Sequence, residues 1–376
     1  MKIFANPERR GIAGMLGIVL IILAVMAVMN GSLEKWFNIT WFSGPSLEGK
    51  CVYISERSGK AELYSQPLNE NTAVRITDGA NAQSIPFIAP NARKIIFVGA
   101  YNESNSVFSI RGDGKGLVQM TQASGPKAYP SYSRDGKEIY YLASGKVYRA
   151  DTDGALPKFI LPTREEQSIA ISNGQEMPSY KDYAWEYNGD GILAACETSV
   201  DVDQLVYMPA EDKEAAKIPL SRDPNERVVV VGIHAIPGTT AFVVAANIGQ
   251  NAVILNIDPK NEKMTTYARL ANSEVGRPTV SDSGDSVVVP ARNLAKKVLD
   301  TLLLFPVSGG APEVISDKRL EDPSFIDDDK KILATQTNES ETEKNVVVLD
   351  VKSHQLSQLT TDGNSYSPAY CPKAKP

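Results

Sequence analysis

The chain has only two histidines and three cysteines among its 376 residues. With His234 and His354 alone, a histidine-rich metal site or a Ser-His-Asp relay has little material to work with. No G-x-S-x-G turn occurs, so the nucleophile elbow of an α/β-hydrolase is missing as well. Basic charge is also short: 39 Lys and Arg stand against 45 Asp and Glu, a net charge of −6. The first residues are net basic through Lys2, Arg9 and Arg10 against Glu8, which leaves the remainder more acidic still. Nucleic-acid binding needs clustered Lys and Arg, and no such partner is expected. The acidic stretches "DTDG" (Asp151, Asp153) and "DDD" (Asp327 to Asp329) lack the spacing of a calcium loop ending in Glu. Both read as hairpin turns. No catalytic, cofactor-binding or metal-ligating residue is assigned.

Long apolar runs are absent except for one, "GIAGMLGIVLIILAVMAVM", Gly11 to Met29. As a helix it spans roughly 28 Å at ~1.5 Å per residue, close to a bilayer core of ~30 Å. The reading is a single membrane-spanning signal anchor over residues 11–30. A cleavable signal peptide is the rival, although its apolar region is usually shorter and ends in an A-x-A-like site. Basic residues precede the span, so residues 1–10 are placed in the cytoplasm and the bulk of the chain outside, periplasmic or extracellular. Residues 31–47 form a juxtamembrane linker. There Trp36, Phe37, Trp41 and Phe42 suit either the headgroup layer or packing against the domain.

What the chain does have is a repeat. "IPFIAPNARKIIFVG" (from Ile85), "YPSYSRDGKEIYYLA" (from Tyr129), "RPTVSDSGDSVVVPA" (from Arg277) and "DPSFIDDDKKILATQ" (from Asp322) align with proline second. Each continues into a turn and then a β-branched or aromatic run. An aliphatic residue stands nine positions after each proline: Ile95, Ile139, Val287 and Ile332. Pro86, Pro130, Pro278, Pro323 and Pro368 mark the units, and weaker copies fall near Ala184 and Ile233. Short β-rich runs joined by Asp-Gly and Gly-rich turns are hairpin chemistry. Four such strands at a period of ~40–50 residues read as propeller blades.

The stretches "RITDG" before "IPFIAPNARKIIFV" and "LTTDG" before "SPAY" resemble the TolB-type (PD40, WD40-like) β-propeller repeat. The resemblance covers residues 48–372 and leaves 373–376 as a tail. It implies an all-β propeller. The spacing gives seven blades, the split one closed by pairing the N- and C-terminal strands, which leaves no large open edge. The family's usual arrangement is six-bladed with an additional domain, which is not found here.

Two long connections interrupt the repeat, residues 162–183 and 290–301. Long loops on a rigid scaffold often carry binding residues, and Arg164, Glu165, Glu166, Tyr180 and Tyr183 form a candidate partner-contact loop. Aligning "GKCVYI" with "GKEIYY" sets Cys51 directly opposite Cys371 at the strand seam. In an oxidising compartment that register predicts a Cys51–Cys371 disulfide. The resemblance further implies a protein-interaction scaffold of the cell envelope, or a subunit of a membrane complex, with an envelope or membrane protein as partner. The alternative is a hydrolase or lyase acting on a sugar or lactone in the central channel.

Overall fold

The computed structural model describes residues 45–373, apart from 102–103, 122–124, 188, 190, 200–201, 211–212, 222, 224–225 and 296–299. Calls that fall on residues 1–44, the anchor and Trp36, Phe37, Trp41 and Phe42 among them, lie outside the described residues. No helix among the described residues is long and apolar enough to cross a membrane.

From Leu47 onward the chain is one compact all-β unit. Its described strands form six hydrogen-bonded sheets, of which the largest has eight strands. That large sheet is two four-stranded meanders joined by a single parallel bridge, Val202↔Val228. The result is a succession of seven antiparallel meanders. Their first strands are Ser365–Tyr370, Phe87–Ile88, Lys127–Tyr132, Ser179–Trp185, Val228–Ala235, the pair Ser273–Val275 and Thr279–Val280, and Leu320–Ile326. In the first meander the C-terminal strand Ser365–Tyr370 pairs with Lys50–Ser55.

The second strands of most meanders read as near-continuous hydrophobic runs rather than alternating ones, and the packing explains why. Seven buried clusters lie between consecutive meanders, the last between the seventh and the first. In Lys94–Tyr101, Ile95 and Phe97 face the first meander while Ile96 and Val98 face the third. A strand buried on both faces has no solvent side to alternate with. The aliphatic residue nine after each repeat proline is a clamp of this packing: Ile95, Ile139, Val287 and Ile332 are each 0% exposed. Each such side chain contributes about 1.5–3 kcal/mol through burial.

The threonines that follow Ile76, Met120 and Leu359 also have a physical role. Thr77, Thr121 and Thr360 accept hydrogen bonds from the N–H groups of Leu63, Val107 and Val346 at 2.8, 3.0 and 2.9 Å. Each hydroxyl satisfies a strand N–H that would otherwise be buried unpaired where the chain leaves for the next meander.

The seam corrects the disulfide expectation. Cys51 pairs with Tyr370, and Cys371 exchanges backbone hydrogen bonds with Lys50 and Gly49 at 3.0 and 2.8 Å. A slip of one residue sends side chains to opposite faces of a sheet. Cys51 therefore packs between the seventh and first meanders and Cys371 between the first and second. Both are free, buried thiols, as is Cys196. In the repeat's own frame Cys51 fills the aliphatic slot: Tyr132 opposes Ile139 as Tyr370 opposes Cys51.

Candidate functional site

The first strands converge on one another, and six of the seven carry an irregularity at the same repeat position, the exception being Phe87–Ile88. Register shifts fall between Ala128 and Ser131, Tyr180 and Asp182, Val230 and Gly232, and Glu321 and Ser324. In the sixth meander the strand breaks outright across Gly276-Arg277-Pro278. A following proline disfavours right-handed helical backbone in the residue before it, and Tyr129, Asp322 and Ser367 sit at φ 49°, 52° and 50°, in the left-handed region. A bulge re-aims its side chain away from the regular strand alternation, and here the re-aimed side chains share the centre.

Arg277 is the hub of that cluster. Its guanidinium lies 2.9 Å from the Asp182 carboxylate and stacks over the Tyr129 ring at 4.2 Å. It thus ties the sixth meander to the fourth and the third. Asp182 is nearly sealed, at 3% exposure, whereas Arg277 keeps 32%. The Asp182 carboxylate also accepts hydrogen bonds from the N–H groups of Tyr183 (2.9 Å) and Ile233 (3.0 Å). Burial pushes its carboxyl above the ordinary range, and Arg277 with those two N–H groups only partly opposes that. Burial likewise raises Asp322, whose carboxylate accepts from Ser367 Oγ at 3.0 Å. Burial also holds His234 below its ordinary value, so the imidazole is neutral, with Nδ1 3.0 Å from the Ala235 carbonyl. Arg277, Asp182, Tyr129, Asp322, Ser367 and His234 come from six different meanders. Among the described residues no three His, Cys, Asp or Glu are grouped to hold a metal ion.

A second polar cluster holds the seam. Arg57 Nε lies 2.7 Å from Asp362, and its guanidinium rests over Tyr64 at 4.7 Å and Tyr53 at 5.6 Å. Arg57 donates to Tyr53 Oη (3.0 Å) and Ser365 Oγ (3.2 Å), while Ser55 and Ser365 donate to Asp362. N- and C-terminal strands are thereby joined side chain to side chain at the Ser55–Ser365 end of their pairing, the end away from Cys51 and Cys371. The thiols themselves are poorly placed for redox chemistry: burial pushes Cys371 up to about 11 and Cys51 further, and only a thiolate attacks.

The partner-contact loop is only partly a surface. Residues Arg164–Asn173 form a helix, α1, started by a capping box between Thr163 and Glu166. Arg164 and Glu165 are exposed on its first turn, where acidic charge suits the helix dipole. Glu166 is spent internally, accepting from the Thr163 N–H at 2.8 Å and from Tyr180 Oη at 2.7 Å. Tyr180 and Tyr183, at 1% and 6% exposure, are core residues rather than contact residues. The Tyr183 hydroxyl reaches the Tyr129 carbonyl at 2.8 Å, which supports the central cluster from behind.

The sequence reading passed over Arg277 and Asp322 although both head quoted repeats. The signal was their place before the repeat proline, shared with Tyr129 and Ser367.

No family model matches the chain. Solved structures do. TolB from Acinetobacter baumannii superposes with a TM-score of 0.56 at 14% identity, over 93% of this chain and 71% of that one. An oligogalacturonate lyase in complex with manganese gives 0.62 at 14% identity, over 83% and 90%. Prolyl oligopeptidase B from Galerina marginata gives 0.60 at 10% identity, over 87% of this chain and 51% of that one, so this chain spans about half the peptidase. The fold is that of the TolB-like β-propeller proteins.

Proposed function

We propose that the chain is a seven-bladed β-propeller, closed by pairing of its terminal strands, that serves as a protein-interaction scaffold of the cell envelope. The segment 11–30 tethers it to the cytoplasmic membrane in a single pass, with the N-terminus inside and the propeller outside. Its partner is another envelope or membrane protein, whether as a transient ligand or as a fellow subunit. The likeness to TolB supports the fold of this reading. The observation that carries its function is the centre: Arg277 is neutralised by the chain's own Asp182 and covered by Tyr129. A centre whose charges are satisfied internally leaves recognition to the rims and outer edges. Crosslinking in the native membrane, followed by purification in mild detergent and mass spectrometry, is expected to recover one partner in fixed ratio. Repeated recovery of the chain alone would overturn the reading.

A second reading has one observation in its favour. Asp322, with its carboxyl raised by burial, feels the charge of Arg277, and a carboxyl with raised proton affinity within the field of a cation suits lyase or hydrolase chemistry. This reading predicts turnover of a uronate-containing sugar or a lactone that is lost in Asp322→Asn. No turnover by the wild-type chain removes it.

A further inference from the structure

Six of the seven meanders end in a short outer strand: Val74–Arg75, Val118–Gln119, Lys158–Leu161, Ala216–Ile218, Glu313–Ser316 and Leu356–Gln358. Short outer strands are a standard protection, because a free sheet edge invites another strand to pair with it. The fifth meander breaks the pattern. Its outer strand, Lys263–Ala271, runs nine residues and pairs with Asn251–Asp258 on one side only, with one bulge at Tyr267. The other edge carries a row of unpaired backbone groups that no described strand covers.

The strand's composition says what suits that edge. It contains two cations, Lys263 and Arg269, and no acidic residue. Both are exposed, and neither has an ion-pair partner among the described residues. The register places them on opposite faces: Lys263 opposes Asp258 beside the row of Ala252 and Ile254, and Arg269 opposes Val253 in the row of Leu255 and Ile257. Between them Met264, Thr265 and Thr266 are exposed, with Met264 at 50%. Pairing with a second copy of the same strand would gather four cations with no acidic residue on either strand, which disfavours self-association.

We propose that Lys263–Ala271 is a docking edge that accepts an extended acidic segment of a partner protein by strand addition. The inference rests on the scaffold reading and names its contact surface. The backbone ladder supplies affinity, and carboxylates opposite Lys263 and Arg269 set the register.

The test uses the full chain in detergent and a synthetic nine-residue Thr/Val peptide with glutamates placed opposite Lys263 and Arg269. Amide exchange read by mass spectrometry is expected to slow across residues 263–271 and at no other outer strand. The same peptide with alternate backbone nitrogens methylated is expected to give no protection, since it cannot form the ladder. The double variant Lys263→Glu, Arg269→Glu, which touches only exposed side chains, is expected to weaken binding by about fivefold or more, from typical cross-strand charge effects. Absence of protection at millimolar peptide, equal binding of the methylated peptide, or concentration-dependent protection without peptide that tracks a dimer would each overturn the proposal. If the wild-type chain carries a native partner and the double variant retains it equally, the edge proposal falls while the scaffold reading stands. If the wild-type chain carries no partner, the scaffold reading falls first.

Discussion

The centre and the seam are built from the same pieces and behave oppositely. Each sets an arginine against an aspartate and lays the guanidinium over tyrosine: Arg277 with Asp182 and Tyr129, Arg57 with Asp362, Tyr64 and Tyr53. At the centre, burial dominates and the Asp182 carboxyl is raised. At the seam burial also pushes Asp362 up. There, however, the hydrogen bonds from Ser365, the Asn364 N–H and Ser55, with the Arg57 charge, outweigh it and the carboxyl is lowered. The side-chain exposures are 3% for Asp182 and 23% for Asp362. Depth, and not the identity of the pair, decides which protonation state the fold favours.

The strongest way to break this contrast is Arg277→Ala. It strands a sealed carboxylate and is expected to cost about 3 kcal/mol, the lower end for breaking a buried pair because Arg277 is itself partly open. Denaturant unfolding measures the loss, and adding Asp182→Asn should restore much of it. No restoration would mean that Arg277 acts through Tyr129 alone. Arg57→Ala removes a wetter pair and is expected to cost about 1–2 kcal/mol, from its charge-assisted hydrogen bonds less solvent screening. Its loss should show locally, as faster amide exchange in Ser365–Tyr370 before any global change.

Titration sharpens the comparison further. Asp182 holds its proton more tightly folded than unfolded, so its contribution is full below the ordinary value of 3.8 and is lost as pH rises through the folded value. Asp362 contributes fully above 3.8 and loses its effect as pH falls through its lower folded value. Stability measured against pH in Asp182→Asn should therefore lose a component that declines as pH rises above about 3.8, and in Asp362→Asn a component that declines as pH falls below it. Equal pH profiles in both variants would refute the assignment. The smallest expected effect is none: reductant should leave the unfolding midpoint unchanged, and non-reducing peptide mapping should find Cys51 and Cys371 unlinked. A crosslinked pair would require the seam register to shift by one residue.

Where the sequence was legible, the physics was local. The repeat prolines and the aliphatic residue nine positions on fixed the strand turns, because the turn between first and second strands is covalent and short. At the seam no turn links Tyr370 to Cys51, so "GKCVYI" could be laid on "GKEIYY" with one residue too many, and the cysteine pairing inherited that slip. Tyr180 and Tyr183 looked like loop residues because the unit around Ala184 is a weak copy, yet they belong to the strand Ser179–Trp185. Arg277 and Asp322 were visible as letters but not as neighbours. Arg277 meets Asp182 and Tyr129 only because meanders far apart in sequence come together at the centre, and nothing in a repeat's period encodes that.

The pre-proline bulges have a consequence for how such a chain can vary. Because each central side chain leaves its strand at an irregularity, it is uncoupled from the alternation that fills the clusters on either side. Tyr129, Arg277, Asp322 and Ser367 are four different chemistries at one repeat position, while Ile95, Ile139, Val287 and Ile332 hardly differ at theirs. Every unit therefore speaks two vocabularies, a narrow one for packing and an open one for the hub. A lineage built this way can rewrite its centre letter by letter while the sheets around it keep their grammar.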